Sequence, residues 1–428
     1  MTFNEALEFL RDLQWFGARF GLETSRRLAA LFGHPEDRLR FVHVAGTNGK
    51  GSTCAMLESV YRKAGLRVGL YTSPHLIRIG ERIQVNREPI SDAEVAALAR
   101  ELKEALAGAG HPVTFFEALT IMALRHFEAR KCDVVIWETG LGGRLDATNI
   151  VTPLASVITN AQFDHEKWLG NTLGRIAFEK AGIIKPFRPV ITGAAAGEAR
   201  ETILRVAGEM RAPVTLAEHP GPFTARWPDA GPPLPGAHQW QNAAVALATL
   251  EVLQREISVP AKAVEEGMRD VDWPGRFQIL ERGEGRKMVL DGAHNPDGMR
   301  TLRAALEDFF PGRPLTVVLG AMEDKDWPAM CRVIAPLAGR MRVAPTGSER
   351  GASVEKLERA CKEANPGAEV TRHASIEEAL GVAGDDEVVV VTGSLHLVGA
   401  ALEWARPERG GEHAERGLND WTPRKAKG

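Results

Sequence analysis

The stretch from Phe41 to Thr53, FVHVAGTNGKGST, decides the fold. Its β-branched run FVHV reads as a short buried strand, and the following CAMLESVYRKAG, closed by Gly65, reads as an amphipathic helix. Between them stand Gly46, Gly49 and Gly51 with Lys50, so small residues carry the chain from a strand into a helix. Such a loop can turn its N–H groups toward a phosphate. The helix dipole then adds a favourable field and Lys50 a point charge. The spelling nevertheless departs from the G-x-x-x-x-G-K-[ST] phosphate loop. Counted back from Gly49 and Lys50, the first glycine and the final hydroxyl fall on Val44 and Gly51. Ser52 is displaced by one position, so a cation accompanying the phosphates needs donors from elsewhere in the chain.

Working outward, RVGLYTS, CDVVIWE and LASVITN read as further strands, alternating with the helical patterns SDAEVAALARELKEALAG and TFFEALTIMALRHFEAR. That alternation argues for a parallel sheet with helices on both faces. The passage from Pro74 to Pro89 is polar and loop-like, and residues 213–237 are rich in Pro and Gly. A second series, KMVLDGAHNP, PLTVVLGA, RMRVAP and DEVVVVTGS, begins after DWPGRF. The expected fold is α/β: a P-loop-containing, mostly parallel-sheet ATPase domain over 1–275, then a smaller, Rossmann-like α/β domain over 276–405. Residues 406–428, charged and glycine-bearing, read as a disordered tail.

Composition agrees with two globular domains: 428 residues, 44% hydrophobic and 25% charged. A formal net charge of -3 gives no bulk electrostatic reason to expect nucleic acid or an anionic membrane as partner. The four cysteines, Cys54, Cys132, Cys331 and Cys361, lack C-x-x-C spacing, and MTFNEALEFLRDLQ lacks the pattern of a signal peptide. A reduced, cytoplasmic protein is the expectation. The longest apolar runs are strand-sized rather than membrane-sized.

Several polar residues fall at the carboxyl ends of strands, the edge where open α/β sheets bind ligands. Glu138 ends DVVIWE, where an NTPase usually keeps a magnesium-directed carboxylate, although an isolated strand-end acid is more often only exposed. Asp164 and His165 follow LASVITN, and a lone histidine there is more often a hydrogen-bonding loop residue than a metal ligand. Asp291 ends KMVLD ahead of GAHNP, and either caps a tight turn or orients a nucleotide or amine. Arg276 lies in the hinge WPGRF, as a linker charge or a phosphate clamp.

In order along the chain, AGTNGKGS, TSPHL, GLGGRLDATN, DH followed by LG, EKAGIIK, PGRFQ and DGAHNP resemble the folylpolyglutamate synthase and dihydrofolate synthase family, the folate branch of the Mur ligases. The resemblance runs from the first helical pattern to about Trp404. It implies that Gly46, Thr47, Asn48, Gly49, Lys50, Gly51 and Ser52 bind the phosphates of ATP, and that Ser73, Glu138 and His165 hold magnesium (Mg2+). It further implies a carbamylated Lys180, contacts to ATP from Arg276 and Asp291, and His294 and Asn295 beside the nucleotide or the incoming glutamate. Lys50, Lys180, His165 and Arg276 would be the catalytic set. Two positions, Thr139 and His396, depart from the residues many members carry there.

The reaction implied is ATP-dependent amide formation between a pteroate or folate carboxylate and L-glutamate through an acyl phosphate. The substrates would be dihydropteroate, a reduced folate, or both, and the enzyme a monomer without nucleic-acid or membrane partners. A monofunctional folylpolyglutamate synthase is the alternative. A muramyl-type ligase is a weaker one, since only 45 residues precede Gly46, too few for the UDP-binding domain those enzymes carry there. A GTPase would keep the standard loop spacing and show N-K-x-D, and a nucleotide-binding regulator would not consume ATP in response to pteroate and glutamate.

Overall fold

Two sheets organise the computed structural model, which describes residues 1–14, 21–107, 112–227, 234–409 and 413–420. The first contains β1 (Phe41–Ala45), β2 (Val68–Tyr71), β3 (Ile83–Val85), β4 (Glu88–Pro89), β5 (Val134–Glu138), β6 (Ala155–Ile158), β7 (Val190–Thr192) and β8 (Val214–Leu216). Its order is β4-β3-β2-β5-β1-β6-β7-β8. All pairs are parallel except β2–β3 and β3–β4. β1 thus sits centrally with β5 and β6 on either side, and Val44 lies in register with Glu138. The glycine loop therefore leaves the sheet beside the strand-end acid.

Alternation along β1 sends its side chains into two different cores. Phe41 packs on one face with Trp137, Tyr71 and Phe127, whereas Val42 and Val44 pack on the other with Met56 and Leu57 of the helix Lys50–Lys63. Trp137 is wholly buried and stacks on Tyr71 with ring centroids 4.5 Å apart. A strand covered on both faces must read as a continuous apolar run, which is why FVHV and DVVIWE are legible.

The loop-like passage Pro74–Pro89 holds more structure than its polarity suggests. It contains a 3-10 turn, Ile79–Arg82, and the antiparallel strands β3 and β4, of which β4 is the sheet edge. Asn86 and Arg87, with φ of 52° and 69°, make the turn, and the Asn86 side chain accepts from Val68 N at 2.8 Å. Both strands are very short, and β4 at the edge is exposed, so no run of alternating apolar residues marks them.

The second sheet contains β9 (Gln278–Glu281), β10 (Lys287–Leu290), β11 (Leu315–Leu319), β12 (Ala338–Val343), β13 (Glu369–Arg372) and β14 (Val388–Thr392), ordered β13-β12-β11-β14-β10-β9. Only β9 runs antiparallel to its neighbour. Helices cover both faces, with Val289, Val317 and Val390 in one core and Leu290, Val318 and Val389 in the other.

The reading of 406–428 as a disordered tail needs correction. Within its described part, helical turns at His413–Arg416 and Gly417–Asn419 bring Glu415 and Leu418 to 1% exposure. Their partners lie hundreds of residues away in sequence, so composition alone carried no sign of them. Residues 421–428 lie outside the described residues. Among the described residues no helix is long and apolar enough to cross a membrane.

Candidate active site

The glycine loop opens onto a cavity of about 480 Å3 that the second sheet's loops close from the opposite side. Gly46 (φ 158°) and Gly49 (φ 82°) give the loop its path, and Gly49 caps the helix Lys50–Lys63 without any side-chain cap. The first N–H groups of that helix have no carbonyl a turn behind them, so they suit an anion. Thr47 N and Asn48 N are held differently, both donating to the Asn160 side chain, at 3.2 and 2.9 Å. Lys50 Nζ lies over the loop, donating to Gly46 O at 3.0 Å and Thr47 O at 3.3 Å.

Side chains crowd the loop from behind. A Cβ at Gly49 would stand 2.2 Å from Asn242 Oδ1, and one at Gly51 would stand 2.8 Å from Trp273 Nε1. Changing Gly49 to alanine combines that clash with a left-handed backbone, a strain of about 1–3 kcal/mol. The expected result is an ATP KM raised by about tenfold or more, since about 1.4 kcal/mol is a factor of ten. An unchanged ATP KM in steady-state assays of Gly49→Ala would mean the loop is not under this constraint.

Glu138 projects from β5 into the same cavity, buried, with Oε2 accepting from Ser73 N at 3.2 Å. Burial raises its pKa, opposed by the nearby Lys50 ammonium and the Ser73 amide. His165, left-handed at φ 53°, follows β6, and burial with Lys325 beside it lowers its pKa to about 3. It is therefore neutral across the physiological range. These donors are a carboxylate, a hydroxyl residue and an unprotonated imidazole, and they suit a hard divalent ion. Among the described residues, the one group of three His, Cys, Asp or Glu ligand atoms within 4.8 Å is His34, Glu36 and Asp37, none of which lines the cavity.

Asp164 is the hub between the domains. Lys325 Nζ lies 2.6 Å from its Oδ1 and Asn295 Nδ2 lies 3.2 Å from its Oδ2, while His294 Nε2 is 3.6 Å from the same oxygen. Although burial raises the Asp164 pKa, the adjacent His294 ring and the Lys325 charge hold it well below the usual carboxylate range. Lys325 also reaches His165 Nε2 at 3.1 Å. Asn295 bridges further, donating to Asn48 Oδ1 at 3.0 Å while its own Oδ1 caps the helix Pro296–Phe309.

Of the other residues singled out from sequence, Asp291 spends both oxygens on backbone amides, Phe277 N at 2.8 Å and Ala293 N at 2.9 Å. It fixes the turn that presents His294 and Asn295. Arg276 lines the cavity and donates to Gly275 O at 3.1 Å. Lys180 stands in the cavity wall near the end of the helix Leu173–Ala181, and burial with Lys50 nearby lowers its pKa to about 7. Ser52 and Ser73 line the same space.

Sequence reasoning missed Lys325, Asn160 and Asn242. Asn160 had a signal, being an asparagine two residues past the end of β6, at the carboxyl edge of the sheet. Lys325, in AMEDKDW, looks like any charged surface turn, and only the facing domain reveals that it is buried.

Comparison with known proteins fits this geometry. Residues 275–395 match the family model described as Mur ligase, glutamate ligase domain. The Bacillus subtilis protein named dihydrofolate synthase/folylpolyglutamate synthase is 36% identical, with 93% of this chain and 97% of that protein covered. The chain belongs to the dihydrofolate synthase/folylpolyglutamate synthase family. Another relative, the Haloferax volcanii probable bifunctional folylpolyglutamate synthase/dihydropteroate synthase, is 35% identical over 95% of this chain, which spans about half, 51%, of that protein. A crystal structure of a bifunctional synthase of the family with Mn, AMPPNP and L-glutamate bound is 33% identical, has a TM-score of 0.81, and covers 95% of this chain and 98% of its own. The family fold, two α/β domains with mostly parallel sheets, is the fold seen here.

Proposed function

We propose that the chain is an ATP-dependent ligase joining the carboxylate of a pteroate or folate to L-glutamate, with both dihydropteroate and reduced folates as acceptors. The supporting observation is the shared cavity: the uncapped helix start with Lys50 on one side, and Asp164, His294, Asn295 and Lys325 across the domain boundary on the other.

A carboxylate cannot expel oxide, so the γ-phosphoryl of ATP is first moved onto it. The amino group of glutamate then attacks the acyl phosphate and phosphate leaves. The loop amides of Lys50, Gly51 and Ser52 and the Lys50 ammonium bind the phosphates where negative charge gathers. Arg276 approaches from the hinge. The residues that would hold a divalent ion are Ser73, Glu138 and His165, and magnesium bound there supplies charge neutralisation on the phosphates. Asp164, made strongly anionic by its neighbours, holds His294, Asn295 and Lys325 in place and so fixes the second domain against the first. That closure keeps water from the acyl phosphate. The enzyme works as a monomer in this reading, in the cytoplasm, with ATP and small-molecule substrates only.

Lys180 fits a carbamate. Its amine is buried and has a pKa of about 7, so a large neutral fraction is present near neutrality to add to carbon dioxide. The amine loses a proton and becomes an anion facing the phosphate site. Protonated amine does not react, so at a fixed concentration of dissolved carbon dioxide the carbamate forms more completely as pH rises. Enzyme depleted of carbon dioxide should regain several-fold activity when it is restored at about pH 8, and far less at about pH 6. Carbon-13 bicarbonate should give a carbamate carbon signal that Lys180→Ala lacks. No such signal would remove the modification.

The function is tested by ADP release. It should require pteroate and glutamate together, for dihydropteroate and for tetrahydrofolate assayed separately. Release independent of both would refute the ligase assignment.

A further inference from the structure

The segment 413–420 connects the two domains across one end of the cavity. On the first domain, the Gln14 side chain donates to the carbonyls of Gly417 and Asp420, and Ile79 N donates to the Glu415 carboxylate at 2.8 Å. On the second, Arg416 pairs with Glu403 at 2.7 Å and Ser348 Oγ donates to the Asp420 carboxylate. Leu418 enters the core beside the first helix, Phe3–Leu13, and both Leu418 and Asn419 line the cavity.

Asn419 is the polar residue of this strap that addresses the cavity. Its Oδ1 accepts from Arg82 at 2.6 Å and its Nδ2 donates to His75 O at 2.9 Å. The Arg82 guanidinium also donates through Nε to His75 Nδ1 at 2.8 Å and lies 5.4 Å over the Phe115 ring. These two bonds use two of its five N–H groups, and the guanidinium forms part of the cavity wall. The ring is closed by His75 Nε2, which donates to Glu415 O at 2.9 Å. Arg82 is thus aimed by two residues of the strap acting together with His75.

At this part of the cavity the Arg82 guanidinium lies over the Phe115 ring and acts electrostatically on Glu138. Thr114, Phe115 and Phe116 line this part with Leu418, giving aromatic and apolar surface beside a buried cation. A flat bicyclic acceptor with ring nitrogens and a carbonyl oxygen meets both features there.

We propose that the strap 413–420 forms the closing wall of the acceptor pocket and that Asn419 is a positioning residue, holding the Arg82 guanidinium toward the ring system of the bound pteroate. This rests on the ligase reading above. Because the strap is fastened to both domains, the acceptor pocket is complete only in this arrangement of the two.

The test is steady-state ADP release by the full chain, varying dihydropteroate, ATP and glutamate in turn. Asn419→Ala should raise the dihydropteroate KM about tenfold, the loss of one hydrogen bond to a charged group, and leave the ATP KM within about twofold. Asn419→Asp keeps an acceptor for Arg82 and should return the dihydropteroate KM most of the way to wild type. A dihydropteroate KM unchanged in Asn419→Ala overturns the proposal, as does an equal rise of all three KM values that Asn419→Asp does not relieve. If Asn419→Ala fails to fold, hydrogen exchange on the wild-type chain decides: dihydropteroate, and not ATP alone, should slow the amides of 415–420, and no slowing overturns the assignment. Wild-type enzyme without pteroate-dependent ADP release would instead sink the ligase reading itself, and the strap assignment with it.

Discussion

Replacing Lys50 by alanine is expected to lower kcat/KM by about a thousandfold while the melting temperature stays close to wild type. The ammonium sits on the loop it serves, bound to Gly46 O and Thr47 O, and takes no part in either hydrophobic core of the first sheet. Its removal therefore takes little packing with it. What it removes is a positive charge at the place where the transferring phosphoryl gathers negative charge. Loss of one preorganised electrostatic contact of this type costs about a hundred- to a thousandfold in rate. Lys50→Arg should rescue poorly, because a planar fork cannot replace a compact ammonium inside a loop whose glycines leave no spare room. Steady-state kinetics beside a thermal melt check the prediction. A Lys50→Ala enzyme within tenfold of wild type would place the phosphates elsewhere.

The second large effect is expected at Lys180. Lys180→Ala should lose about a thousandfold in kcat, comparable to other charged groups acting at a phosphoryl centre. It should not lose stability in proportion. Burial disfavours the ammonium here, as the lowered pKa of about 7 records, so its removal relieves an unfavourable charge. If the working form is a carbamate, the missing group is an anion rather than a cation. Formate or acetate diffusing into the space should then restore part of the rate, about tenfold at saturating concentration. Methylamine should not. Rescue by an amine in place of a carboxylate would show that the ammonium itself is the working form.

Much of the first domain's site is legible because it lies in short runs with local signals. The loop from Gly46 to Ser52 declares itself by a buried strand before it and a helix after it. Glu138 declares itself by ending a run buried on both faces, and register then places it beside the loop. Asp291 is visible in the sequence as a strand-end acid, which by itself fits either a turn or a ligand contact. The structure shows both oxygens accepting backbone amides. The parts that stayed hidden are contacts between distant segments. Asn48 meets Asn295, and Asp164 meets Lys325, across a domain boundary that no local pattern encodes. The strap is the extreme case. Glu415 and Asn419 are polar, charged-tail residues by composition, and buried ones only because His75, Ile79 and Arg82 wait for them. Strands β3 and β4 were hidden for another reason: three and two residues are too few for a period to show, and β4 at the edge is exposed.

The central claim is that this cavity moves a phosphoryl group from ATP onto a carboxylate before glutamate arrives. Dihydropteroate labelled with oxygen-18 in its carboxylate tests that most directly, by mass spectrometry of the inorganic phosphate released with glutamate and ATP present. One labelled carboxylate oxygen should appear in each phosphate formed. Phosphate free of label, alongside normal amide product, would contradict the account.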